Sequence, residues 1–437
     1  MKRLSNRSFV ACIAIFGGSL ATVKVEAASD GVYVASPVLQ SEADEYTRYE
    51  LLAPESGSFR ITYEVTATTP SARYFYNPIR KGSAASDERV RDAATGAALH
   101  FDIVSGREAR KDPLMADAEP DARYIRVALA RAVPANGQAR IVIEKTYKDP
   151  KSYHRNGGSI VFERSLSIRR NKVVLPQGYE VSDLNVPSQI LVEADGRIAV
   201  SFLNAGTAES LFVVRAIKDA QAGPQALPKP LGQKRSWESP FEGETEQDRL
   251  SERAHQDREI VYFLQQPETH SFRLYHDYTE RRSGVSAYVN VVREGSIATD
   301  PEAVLLDTGQ VLKVQEMSGR DVTTAGLDGG ESLPPNARAI VIAFDPVKPG
   351  QSVRLRITET YTAPASYRLE GDELVFDRSL GRPRNAVVLP TGWYVTHSAT
   401  PTTVTALPDG RQRLDYWDDR PEPVDVLVKA QRRVTQQ

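Results

Sequence analysis

Short stretches of alternating apolar and polar residues recur along the chain, each closed by turn residues. In Phe59-Arg60-Ile61-Thr62-Tyr63-Glu64-Val65 the apolar side chains share one face, and Arg60, Thr62 and Glu64 share the other. That is the pattern of a half-buried strand. Phe272, Leu274, His276 and Tyr278 repeat it, with Arg273, Tyr275 and Asp277 facing the opposite way. Segments 140–147 and 354–361 have the same period. Ala135-Asn136-Gly137, Asn156-Gly157-Gly158 and Pro349-Gly350 punctuate the runs, and Asp195-Gly196 and Asp409-Gly410 each predict a hairpin. The spacing predicts about eight to ten strands per repeat unit and no long helix. A period of two with one wet face argues against a parallel sheet. A β-sandwich is expected, with an open barrel as second choice.

The runs are duplicated. Arg170-Asn171-Lys172-Val173-Val174-Leu175-Pro176-Gln177-Gly178 matches Arg384-Asn385-Ala386-Val387-Val388-Leu389-Pro390-Thr391-Gly392 at seven of nine positions, 214 residues apart. The same offset pairs Phe162-Glu163-Arg164-Ser165-Leu166 with Phe376-Asp377-Arg378-Ser379-Leu380. Upstream an offset of 213 pairs Ser58-Phe59-Arg60 with Ser271-Phe272-Arg273, and Ser105-Gly106-Arg107 with Ser318-Gly319-Arg320. The fold class expected is therefore all-β: two tandem duplicated antiparallel β-sandwich domains, at 30–220 and 258–432. In the repeated nine-residue segment, the valines suit a buried strand and Pro176 stops its ladder. Gly178 permits a tight turn, and Asn171 or Asn385 is expected to bond local backbone. Residues 221–257 change character: Gly223, Pro224, Pro228 and Pro230 precede a charged run ending at Asp257. They predict a polar linker with a marginal helix, or alternatively a protein-binding segment around Trp237 and Phe241.

Composition changes the picture at the amino terminus. Lys2, Arg3 and Arg7 precede an apolar run from Phe9 to Val23, and Val25-Glu26-Ala27 offers small residues where a signal peptidase cuts. Residues 1–27 therefore read as a signal peptide, and a periplasmic or secreted protein is expected. A retained anchor and a lipoprotein on Cys12 are the alternatives; the run is short for the ~20 residues of a span, and most of it follows Cys12. Cys12 is the only cysteine, so the mature chain folds without disulfides. Its charge, −5 once the signal is removed from a total of −2, suits solubility rather than nucleic-acid binding. No later segment predicts a membrane span.

No motif commits to a reaction. The six histidines form no His-Glu-x-x-His, and no Gly-x-Ser-x-Gly, Ser-x-x-Lys, P-loop, G-x-G-x-x-G or EF-hand loop occurs. No metal, cofactor or catalytic residue is assigned. His276-Asp277 is the first pair to consider for acid–base work, but adjacent strand residues point apart, which favours a packed histidine. Glu163-Arg164 and Asp377-Arg378 keep their charges in both repeats, as an arginine paired near the sandwich rim would require. A site peculiar to this protein belongs where the repeats differ or meet. Tyr74 and Tyr76 share a face where repeat 2 has Ala287 and Val289, and Tyr416-Trp417-Asp418-Asp419 replaces Phe202-Leu203-Asn204-Ala205. Tyr74, Tyr76, Trp393 and Trp417 are the candidate binding residues, because aromatic faces beside polar groups stack on sugars or peptides.

The F-[ED]-R-S-L and R-N-x-V-V-L-P-x-G segments resemble an exported bacterial family known chiefly as uncharacterised proteins, across nearly all the mature chain. More remotely, each repeat resembles the N-terminal β-sandwich of zinc aminopeptidases and the lumenal sandwiches of ribophorin I. The similar run is Arg126 to Tyr147, with a Pro/Gly turn at Val133-Pro134-Ala135-Asn136-Gly137. The aminopeptidase His-Glu-x-x-His is absent, so the resemblance implies the accessory fold and not the activity. The function expected is a non-catalytic binding or scaffold protein of the envelope, or a secreted one, with a glycan or protein ligand. The alternative is a secreted glycan hydrolase in the interdomain cleft, its acids drawn from Asp277, Glu163, Asp377, Asp418 and Asp419.

Overall fold

A computed structural model describes residues 40, 42–193, 195–204, 209–218, 258–327, 333–418 and 423–433. The expected signal segment 1–27, the expected linker 221–257 with Trp237 and Phe241, and Asp419 lie outside them. The described residues form one compact unit that contains both repeats.

Each repeat is a sandwich with one unbroken layer and one split layer. In repeat 1 the unbroken layer is a seven-stranded sheet. Its order is Gln189–Val192, Ile198–Leu203, Arg170–Val174, Glu42–Leu51, Ser58–Ala67, Ala139–Lys148 and Ala84–Asp92. Facing it are a four-stranded sheet around Ser159–Leu166 and Ser210–Lys218, and a three-stranded sheet of Tyr74–Ile79, Arg123–Ala128 and Phe101–Ser105. Repeat 2 copies this order and adds one strand, Gln310–Leu312, so its main sheet has eight. The core lies between the layers: Phe59, Ile61, Ile141 and Ile143 from the main sheet meet Phe75, Ile125, Phe162 and Phe212 from the other two. Phe272, Ile357, Phe376 and Val428 do the same in repeat 2.

The alternating runs are strands as expected, Ser58–Ala67 and Ser271–Glu280 among them. Both predicted hairpins form, joining Gln189–Val192 to Ile198–Leu203 and Thr403–Ala406 to Gln412–Trp417. Two expectations need correction. The described residues hold fourteen strands in repeat 1 and fifteen in repeat 2, because many are segments of three to six residues too short to show a period. The main sheets are also mixed rather than purely antiparallel. Glu42–Leu51 runs parallel to Arg170–Val174, and Glu259–Leu264 parallel to Arg384–Val388. Arg170–Val174 and Arg384–Val388 are buried at all five positions, as strands covered on both faces are.

The duplicated motifs have local causes. Asn171 Nδ2 donates to the Ile168 carbonyl and Asn385 Nδ2 to that of Arg382, both at 2.7 Å, at the start of the buried strand. Gly178 and Gly392 adopt φ of 75° and 86°, which lets the chain turn after the proline. Ser105 and Ser318 cap the only α-helices among the described residues, Gly106–Ala109 and Gly319–Thr324. A Cβ on Gly106 would lie 1.7 Å from the Glu119 carbonyl oxygen, and one on Gly319 2.0 Å from that of Pro334. The cap and that contact account for the serine and the glycine shared by both repeats. None of the helices is long and apolar enough to cross a membrane.

Candidate functional site

The repeated arginine of F-[ED]-R-S-L is a core residue, not a rim residue. Alternation turns Phe162, Arg164 and Leu166 inward and Glu163 outward. The Arg164 guanidinium lies 5.4 Å from the Phe59 ring centre and 5.6 Å from that of Tyr147. It donates to Asp149 Oδ2 at 2.9 Å. Arg378 sits the same way over Phe272, Tyr361 and Tyr262, at 5.4, 5.8 and 5.8 Å, but Ala363 occupies the position of Asp149. Guanidinium on aromatic faces is favourable where water is excluded, which accounts for its retention in both repeats.

The candidate aromatic residues separate. Tyr74 is 42% exposed, and the Arg126 guanidinium lies 5.6 Å from its ring centre, held there by a two-point pairing with Asp102. Tyr76 is buried under the three-stranded sheet and donates from its hydroxyl to Asp112 at 3.1 Å. Burial and that carboxylate push its phenol up to about 12. Trp393 is 1% exposed, donates from Nε1 to Gln266 at 3.0 Å and carries Arg432 on its face at 4.7 Å. Tyr76 and Trp393 are thus packed side chains: Trp393 lies in the repeat 2 core, and Tyr76 lies in a small cluster with Val104, Ala109, Ala118 and Tyr124, apart from the core that Phe75 enters. Trp417 is half-buried next to Asp418.

The candidate carboxylates are not brought together. Asp277 faces away from His276 and is clamped by Arg356, at 2.7 Å to each oxygen. Asp418 accepts from Gln189 of repeat 1 at 2.6 Å. Glu163 and Asp377 are exposed, one on each repeat's four-stranded sheet. Among the described residues no three His, Cys, Asp or Glu side chains converge as a metal site.

Where the repeats meet, they exchange equivalent loops. Gln138 N donates to the Leu306 carbonyl at 2.9 Å, and Ser352 N to that of Ala94 at 2.8 Å. Arg140 crosses the junction to grip both oxygens of Asp307 at 2.9 Å, with both side chains buried. Arg169 reaches Asp415 at 2.5 Å at the other end of the main sheets. Sequence spacing showed Arg140 only as the start of a strand; nothing local marks a partner 167 residues away.

Where the repeats differ most in chemistry is inside repeat 2. His276, Tyr278 and Glu280 point inward from Ser271–Glu280, at the positions of Tyr63, Val65 and Ala67, and Tyr288 replaces Phe75. The rings of Tyr278 and Tyr288 lie 4.4 Å apart. The Tyr288 hydroxyl lies 3.4 Å from His276 Nδ1. Glu280 accepts from Tyr278, from Arg282 at 2.9 Å and from two backbone N–H groups. Burial first, then Arg382 and Arg258, hold the imidazole well below its ordinary range, so it is neutral. The exchange of Val65, Ala67 and Phe75 for Tyr278, Glu280 and Tyr288 was legible in the aligned repeats and is the signal that attention to aromatic faces alone passed over.

No family model matches the chain, and no curated protein matches it. Solved structures show a remote likeness to the N-terminal domain of M1 zinc aminopeptidases. An M1 zinc metallopeptidase from Deinococcus radiodurans is 13% identical with a TM-score of 0.26, over 40% of this chain and 41% of that one. An aminopeptidase N family protein from Idiomarina loihiensis is 10% identical with a TM-score of 0.25, over 39% and 29%. A candidate nutrient-binding protein from Legionella pneumophila is 8% identical with a TM-score of 0.27, over 42% and 68%. The chain thus spans less than half the length of these two peptidases. At these scores the likeness carries no argument about activity.

Proposed function

We propose that this chain is an exported, non-catalytic binding or scaffold protein of the cell envelope. The observation that supports it is the fate of the acids available for catalysis. Asp277 is neutralised by Arg356, Asp418 is bonded to Gln189, and Glu163 and Asp377 stand on separate sheets. A glycosidase needs two carboxyl groups about 5–10 Å apart across a substrate. The basic start and apolar run before Ala27 support export, as does the resemblance of the repeated motifs to an exported family. Envelope glycans and peptides are the ligand classes to screen, with Tyr74 the exposed aromatic contact. The test applies the purified chain from residue 28 onward to arrays of both, reading binding and product release together. Saturable binding without turnover is the expected result; release of reducing sugar would establish the hydrolase instead. Fractionation that leaves uncleaved protein in the cytoplasm would overturn export.

A further inference from the structure

One end of the repeat 2 sandwich reverses the charge found at the same place in repeat 1. In repeat 1 the Tyr63 hydroxyl donates to the Glu45 carboxylate at 3.0 Å. Thr47 pairs with Tyr63 in register, and Ile260 pairs with His276 in the same way. His276 therefore occupies the Tyr63 position and Arg258 that of Glu45. Ile168, in the turn before Arg170–Val174, becomes Arg382. A carboxylate, a phenol and an alkyl chain have been exchanged for two guanidinium groups and an imidazole. Both guanidinium groups act on the imidazole electrostatically, and Arg258 lies 4.6 Å from the Tyr278 ring centre.

This end of repeat 2 also holds buried polar atoms without partners. His276 is 2% exposed, and its Nε2 is buried with no hydrogen-bond partner. The Nε of Arg382 is buried and equally unpartnered, while its Nη1 donates to the Gly381 carbonyl at 3.2 Å. Buried donors are costly to leave unmatched. Glu280 cannot serve them, because Tyr278, Arg282 and the backbone already hold it. Asp277 faces the other side of the strand.

We propose that His276 and Arg382, with the positive charge of Arg258 beside them, form a binding site for the carboxylate of a small organic acid, which supplies the negative charge that Glu45 supplies in repeat 1. The neutral imidazole offers one N–H, the Arg382 guanidinium offers planar donors that suit a carboxylate, and Arg258 adds positive charge. Tyr278 and Tyr288 border the site and suit the carbon part of the acid. The site deepens the binding reading and rests on it, since it holds a ligand without a reaction.

The test is calorimetry together with nitrogen-15 spectra of the histidine rings, on the chain from residue 28 onward. The probes are acetate, N-acetylalanine and glucuronate, with acetamide as the uncharged control. At least one acid is expected to saturate and shift the His276 signals, identified by their loss in H276Y, with acetamide about tenfold weaker or worse. The preference between N-acetylalanine and glucuronate tells a peptide-like source from a sugar acid. R382I, which copies Ile168 at a part-exposed turn, is expected to weaken binding about tenfold. R258E/H276Y/R382I restores the repeat 1 set and is expected to abolish binding while circular dichroism shows a folded chain. If the triple variant does not fold, R382I decides alone. No saturation by any acid, equal binding of acetamide, or unchanged binding by R382I overturns the site. Array binding with no acid response would sink this site and leave the binding reading standing; acid binding with silent arrays would do the reverse for their ligands.

Discussion

Lys145 and Glu359 occupy the same position in the two repeats, each buried against the same asparagine. Lys145 Nζ donates to Asn77 Oδ1 at 2.7 Å, whereas Asn290 Nδ2 donates to Glu359 Oε1 at 2.7 Å. An amide can accept through one end and donate through the other, so one core site has tolerated opposite charges.

The Glu359 site predicts a pH dependence. Burial, opposed by the Asn290 hydrogen bond and by Arg378, pushes its carboxyl up from 4.5 to about 7. The folded state therefore binds the extra proton, and stability is lost as pH rises through that window. Glu359→Gln keeps an acceptor for Asn290 without the charge. It is expected to stabilise the chain by about 1–3 kcal/mol at pH 8 and by nothing at pH 4. Urea denaturation at the two values checks this. Burial and Arg164 push Lys145 down to about 8, so its contribution has the opposite slope, rising with pH from there toward 10.5.

Arg140 and Asp307 should show the asymmetry of a buried ion pair. Asp307→Leu alone strands Arg140 and is expected to cost about 3–5 kcal/mol; Arg140→Met should cost less, because Arg131 at 3.8 Å and the Arg354 N–H at 2.9 Å remain on Asp307, and the double variant should lie closer to the parent than Asp307→Leu. Chemical denaturation of all four proteins measures the cycle. Equal and additive losses would mean that the junction does not depend on the pair.

The two core arginines should differ. Arg164→Met leaves Asp149 buried without its guanidinium, whereas Arg378→Met faces Ala363 and strands no carboxylate at that position. The first is expected to be the more damaging by about 1–3 kcal/mol, and Asp149→Ala is expected to recover part of it. Melting curves of the three variants decide the order.

Leu175 and Leu389 end the same buried strand and are both 0% exposed. Truncating either to alanine is expected to cost about 2–5 kcal/mol, measured by urea unfolding. A loss below 1 kcal/mol at either would show that its surroundings collapse onto the gap.

Local sequence was enough wherever the cause is local. Alternation placed Phe59, Ile61 and Phe162 in the core and turned His276 from Asp277. The Asn171 and Asn385 backbone bonds, the turns at Gly178 and Gly392 and both hairpins need only residues within a few positions of each other. The duplication was legible because spacing itself is recorded in sequence. Tertiary structure alone decided what depends on partners far along the chain. A period of two says which way a side chain points but not which strand lies beside it, so the parallel pairing of Glu42–Leu51 with Arg170–Val174 was hidden. Trp393 and Tyr76 have the composition of binding residues, and only the segments packed over them buried them. The Arg140–Asp307 pair, the opposite charges of Lys145 and Glu359, and the unmatched donors of His276 and Arg382 all arise from removal of water. That removal is a property of the assembled sandwich, and no single strand contains it.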